Sequence, residues 1–119
     1  MPLEDLAPEL LDFVERYIDQ FASWDVLVYF HENPDAERRL SEVALEIGRR
    51  VSLIQPVVEN LRDSGIVREE PNEADEPTYR YSAPAEFRVK MGAFIDATRD
   101  RTNRLAIVSK VLQKEARRL

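Results

Sequence analysis

The chain has no cysteine, one histidine, one tryptophan and three glycines in 119 residues. Without cysteine there are no disulfides, thiol nucleophiles or Cys-based zinc sites. His31 alone cannot build a His-rich metal site, and Gly48, Gly65 and Gly92 are too scattered to form a loop that cradles a phosphate. No apolar run approaches the roughly 18 residues that span a bilayer. The first residues, MPLEDLAPEL, are acidic rather than basic, so neither a membrane segment nor a secretory signal is expected, and a soluble cytoplasmic protein is. Catalytic constellations are also missing. The six serines lack a His-Asp context, and the abundant carboxylates crowd a stretch that water should reach instead of a desolvated pocket. No enzyme activity, metal or cofactor is expected.

What is present is charge, unevenly distributed. The net charge of −6 argues against a strong general grip on nucleic acid. Residues 1–84 hold eight basic and 19 acidic residues, a balance of −11, whereas residues 85–119 hold nine basic and four acidic, a balance of +5. The length suits one domain with an appendage. The division expected is a domain over 1–84 and a cationic helical element over 85–119.

Hydrophobic periodicity predicts a mainly α chain with a small β-hairpin. A first helix begins near Pro8, with Leu10, Leu11, Val14, Tyr17, Ile18 and Phe21 on one face and Asp12, Glu15, Arg16 and Asp19 opposite. Ser23 is expected to cap a second helix from Trp24 to about His31, whose nearly continuous apolar content implies burial on most sides. Trp24, Tyr29 and Phe30 read as core, and His31 as a residue at the helix end. Asn33-Pro34-Asp35 supplies a turn. A third helix is expected from Ser41 as cap to Ile47, with Val43, Ala44 and Ile47 inward and Gly48 ending it. After Arg49-Arg50-Val51 a fourth starts near Ser52, with Ile54, Val58 and Leu61 inward and Asp63-Ser64-Gly65 as the stop. Ile66-Val67-Arg68 and Thr78-Tyr79-Arg80-Tyr81 read as two strands. Between them lies a polar loop that holds Pro71, Asn72, Pro77 and the acids Glu69, Glu70, Glu73, Asp75 and Glu76.

From Pro84 to Leu119 the pattern is helical. Heptads place Phe87, Phe94, Arg101, Val108 and Glu115 in one column and Met91, Thr98, Leu105, Leu112 and Leu119 in the other. The polar group Thr98, Arg101, Thr102 and Asn103 marks a place where this helix kinks or breaks. A continuous helix would reach ~50 Å, and an apolar seam longer than its own core implies a second copy of the chain. Phe87, Met91, Phe94, Leu105, Val108 and Leu112 are the expected homodimer contacts, the alternative being that this helix packs within the chain against the first helix.

Helix, tight turn, helix and hairpin in succession, with Leu61-Arg62-Asp63-Ser64-Gly65-Ile66-Val67 at the junction, resemble the winged helix-turn-helix of MarR-type and ArsR-type bacterial transcription regulators. The resemblance covers about residues 24–82. Leu61 would anchor the helix, Gly65 reverse the chain and Ile66-Val67 open the wing. It implies a dimeric, double-stranded-DNA-binding regulator whose helix from Ser52 enters the major groove. Ser52, Gln55 and Glu59 would face bases, with Leu53 and Pro56 beside them, while Arg49, Arg50 and Arg62 hold phosphates and Arg68 and Arg80 lie at the wing base. Regulators of this type often place a small-molecule pocket between the first and the long C-terminal helix.

The wing departs from the family, since five acids stand where Arg or Lys is usual. Three readings follow: the tip swings clear of DNA, the scaffold is an interaction module whose acidic wing meets a basic protein surface, or the loop is only solubilising. The cations Arg99, Arg101, Arg104, Lys110, Lys114, Arg117 and Arg118 either neutralise a partner subunit's acidic body or form a solvated face.

Overall fold

In the computed structural model, which describes residues 6–118, helices account for about two thirds of the fold and are joined by a small three-stranded antiparallel sheet. Pro8 has no N–H to leave unpaired and opens α1 (Pro8–Tyr17), which buries Phe13 and Val14. The first helix therefore ends before Ile18 and Phe21, which the apolar stripe had included. Next comes α2 (Phe21–Glu32), three residues earlier than Ser23 as a cap would place it. Ser23 is buried inside the helix instead. The cap comes from far along the chain, where the Glu115 carboxylate accepts from the Phe21 amide at 2.9 Å.

Charged residues make β1 (Glu37–Arg39), a strand that periodicity misses because none of the three is apolar. It is followed by α3 (Leu40–Ile47) and, after a short turn, by α4 (Val51–Asp63). Ser41 lies inside α3. Arg39 occupies the cap position, where Glu42 reaches back to accept from its amide at 2.9 Å. Gly48 ends α3 at φ 72° and Gly65 reverses the chain after α4 at φ 79°, a left-handed region that costs glycine least. The hairpin is β2 (Val67–Glu70) and β3 (Thr78–Tyr81), and the sheet order is β1-β3-β2. Glu69 and Glu70 are therefore strand residues rather than loop. Register pairs Arg68 with Arg80 and Glu69 with Tyr79.

The C-terminal region is two helices, α5 (Ala85–Ala97) and α6 (Arg101–Arg117), not one. Thr98 donates its hydroxyl to the Ile95 carbonyl, and Asp100 caps α6 by accepting from the Asn103 amide at 2.9 Å. A heptad count carried through that break loses its phase. Phe87, Met91 and Phe94 are at most 5% exposed and belong to the chain's own core, which corrects their assignment to a dimer contact. In α6 the inward residues are Ala106, Ile107, Val111 and Lys114, while Leu105 and Leu112 are about half exposed and Val108 is half-buried. Leu119 lies outside the described residues.

Two devices join the C-terminal helices to the rest. Aromatic side chains interlock α1, α2 and α5: Phe13 lies 5.3 Å from Phe94 and 5.6 Å from Phe87, Tyr17 meets Phe87 edge-on at 5.0 Å, and Trp24 meets Phe94 edge-on at 5.4 Å. At the other end Lys114, 7% exposed, donates to the Val14 and Glu15 carbonyls at 2.8 and 2.7 Å and pairs with Asp19 at 3.0 Å. Its cation meets the negative C-terminal end of α1 just as its neighbour Glu115 meets the positive start of α2. Lys114 is thus a structural clamp and not part of a solvated face.

Candidate nucleic-acid interface

The α3-turn-α4 unit has one face fixed and one free. Ile54, Val57, Val58 and Leu61 of α4 are at most 7% exposed in the core, which settles the helix's rotation about its axis. Arg50, Val51, Ser52, Leu53, Gln55 and Pro56 consequently all lie on the exposed side of its first turns. Pro56 lacks an N–H, so the Ser52 carbonyl has no helical partner four residues on. Gln55 donates to Glu59 at 3.3 Å, which uses one of its amide hydrogens within the helix. Strand β2 packs directly against α4, so the hairpin lies beside the helix.

Nearly every charge expected at this surface is already partnered. Arg49 is held by Asp25 of α2 at 2.5 Å. Arg62 pairs with Glu69 at 2.8 Å and Asp63 at 3.2 Å, Arg68 with Glu70 at 2.6 Å, and Arg80 with Glu37 at 3.4 Å. Among the described residues Arg50 alone of these five arginines forms no ion pair.

The acids are tied down in turn. Glu69 accepts from both Arg62 and the Tyr79 hydroxyl, the latter at 2.9 Å, and those two donors lower its pKa below the usual carboxylate range. Asp75 accepts from Arg39 at 2.7 Å, and its pKa is lowered by the Glu76 amide and by Arg39. Glu76 accepts from Ser41 at 2.5 Å. The hairpin's far end is therefore folded onto the start of α3 through Arg39 and Ser41. Of the five hairpin acids only Glu73 lacks a polar partner among the described residues.

Sequence reasoning named Arg49, Arg50, Ser52, Gln55, Glu59, Arg62, Arg68 and Arg80, and they lie along α4, the turn before it and the hairpin. It missed Arg39, which organises the hairpin, and Asp25, which holds Arg49. Charge in a sequence is visible but its partner is not, and each of these contacts joins residues more than 20 positions apart.

His31 shares a 3.0 Å hydrogen bond with the Tyr81 hydroxyl, and Arg88 stacks on the same tyrosine ring at 4.6 Å, so both side chains serve the fold near β3. Among the described residues there is no cluster of His, Asp and Glu suited to a metal and no helix long and apolar enough to cross a membrane. Comparison with family models, with curated proteins and with solved structures produced no match to this chain.

Proposed function

We propose that the chain is a non-catalytic, cytoplasmic winged helix-turn-helix transcription regulator of the MarR/ArsR kind that presents the first turns of α4 to the major groove of double-stranded DNA. One observation carries this reading: the exposed residues Arg50 to Leu53 and Gln55 stand clear on a helix whose opposite face is fixed in the core, with a hairpin packed beside it. The acidic hairpin opposes it less than its composition suggests, because its acids and the neighbouring arginines neutralise one another in pairs. Exposed pairs of this kind are weakened by solvent screening, so Arg62 or Arg68 can exchange a carboxylate for a phosphate at small cost. Arg49 and Arg50 supply phosphate contacts, and Ser52 and Gln55 the base-edge contacts. A homodimer would use the outer stripe of α6, Leu105, Val108 and Leu112. The test is a gel-shift titration at low salt with the DNA upstream of the protein's own gene, comparing wild type with Gln55→Ala. Binding that loses sequence preference in the variant supports the reading, and no binding refutes it.

A second reading has its own support. Leu45 is 84% exposed on α3, and Val51 and Leu53 are about 40% exposed on α4, an apolar set that suits a protein partner. In that reading the helix-turn-helix is an interaction module. Leu45→Ser would then abolish capture of the partner and leave any DNA binding unchanged.

A further inference from the structure

One face of α2 is not covered by the core. Trp24, Val28 and Tyr29 are half-buried there and, with Asp25, Glu32 and Ile47 of α3, line a cavity of about 320 Å³. A volume of that order is at the lower end of small-molecule sites. Its chemistry is selective: two aromatic rings and two aliphatic side chains form the walls, and two carboxylates provide the only formal charges of the lining. Glu32 has no ion pair among the described residues, and Asp25 is shared with Arg49. Tyr29 adds no third negative charge, because burial and then the Glu46 carboxylate push its pKa up to about 12. Its buried hydroxyl has no hydrogen-bond partner.

We propose that this cavity binds an amphipathic organic cation, with its apolar body against Trp24, Val28 and Ile47 and its positive centre between the Asp25 and Glu32 carboxylates. An anion would meet two like charges, and a neutral apolar molecule would gain nothing from either carboxylate. A cation gains from the carboxylates and from contact with the polarisable rings of Trp24 and Tyr29. Because Asp25 also holds Arg49, an occupant that recruits Asp25 competes with Arg49 and loosens the turn between α3 and α4. The site stands apart from the nucleic-acid reading, and its test contains no DNA.

Trp24 is the chain's only tryptophan, so its fluorescence reports the cavity directly. The full chain is titrated with tetraphenylphosphonium and, separately, with tetraphenylborate, an anion of the same shape. Saturable quenching by the cation, at least about tenfold tighter than any response to the borate, is expected. Glu32→Gln should weaken binding, Asp25→Asn with Glu32→Gln should weaken it further, and Arg49→Ala should tighten it by releasing Asp25. Thermal unfolding of each variant identifies any that fail to fold, and for those Tyr29→Leu is used instead and should weaken binding. No saturable quenching at millimolar cation, equal response to both ions, or unchanged affinity in folded carboxylate variants overturns the proposal. An affinity that is unchanged or weaker in Arg49→Ala overturns the competition with Arg49.

Discussion

Replacing Lys114 with Met keeps the length and apolar stem of the side chain and removes its cation. The wild-type ammonium donates to two carbonyls at 2.7 and 2.8 Å and pairs with Asp19, whose side chain is 53% exposed. Hydrogen bonds from a charged donor contribute about 1.5–3 kcal/mol each, and the half-exposed pair adds less than about 1 kcal/mol. Against this, burying the ammonium costs several kcal/mol, which the variant recovers. The Val14 carbonyl keeps its bond from the Ile18 amide at 3.0 Å, so the carbonyl of Glu15 suffers most. The expected net loss is about 2 kcal/mol, or about 8 °C in Tm for a domain of this size. Urea unfolding followed by circular dichroism should show a lower midpoint with the slope unchanged. Lys110→Met removes only a pair with the half-exposed Glu15 and should cost less than about 1 kcal/mol. A Lys114→Met variant as stable as wild type would mean that desolvation cancels the clamp entirely and that Lys114 does not hold α6 to α1.

Gly92 is inside α5 without a positive φ, and a Cβ there would meet nothing within 4 Å, so Gly92→Ala should stabilise by about 0.5–1 kcal/mol in the same assay. Gly48→Ala meets equally open space but must hold φ 72°, and should destabilise by about 1 kcal/mol. Acid should weaken the fold: Glu42, Glu69 and Asp75 have folded-state pKa values below their ordinary 4.5, 4.5 and 3.8, so their contribution is full above those values and lost as pH falls through the depressed ones. Alkali should weaken it too: Tyr29 and Tyr79 are raised from 10.0 to about 12, so stability present below pH 10 declines between the two. A urea midpoint that stays flat across both ranges would contradict these pairings. Light scattering of Leu105→Glu with Leu112→Glu should show monomers where wild type shows dimers, and a monomeric wild type excludes the α6 interface.

Much of the fold was legible where local chemistry decides it. Gly48 and Gly65 both adopt the left-handed backbone that their positions after helical patterns implied. Ile54, Val58 and Leu61 are buried as their spacing required, and β3 runs Thr78–Tyr81 as read from its composition. The failures share a cause, since in each a distant residue overrides a local rule. Strand β1 exists because β3 pairs with it, and α2 begins early because Glu115, 94 residues away, caps it. The heptad seam failed because three residues, Thr98 to Asp100, turn the chain and place Phe94 and Leu105 on unrelated faces. At the candidate interface the charged residues were visible in the sequence but their pairing was not, because composition records arginines and acids without showing that they neutralise one another.

The proposed function requires that the first turns of α4 and the turn before them grip DNA. Fluorescence anisotropy of a labelled duplex, titrated at several salt concentrations with wild type and with the Arg49→Ala, Arg50→Ala double variant, measures this most directly. Affinity should fall with salt in wild type, and the double variant should bind more weakly, with a logarithmic salt slope smaller by about two. No binding at low salt, or the same slope in both proteins, would contradict it.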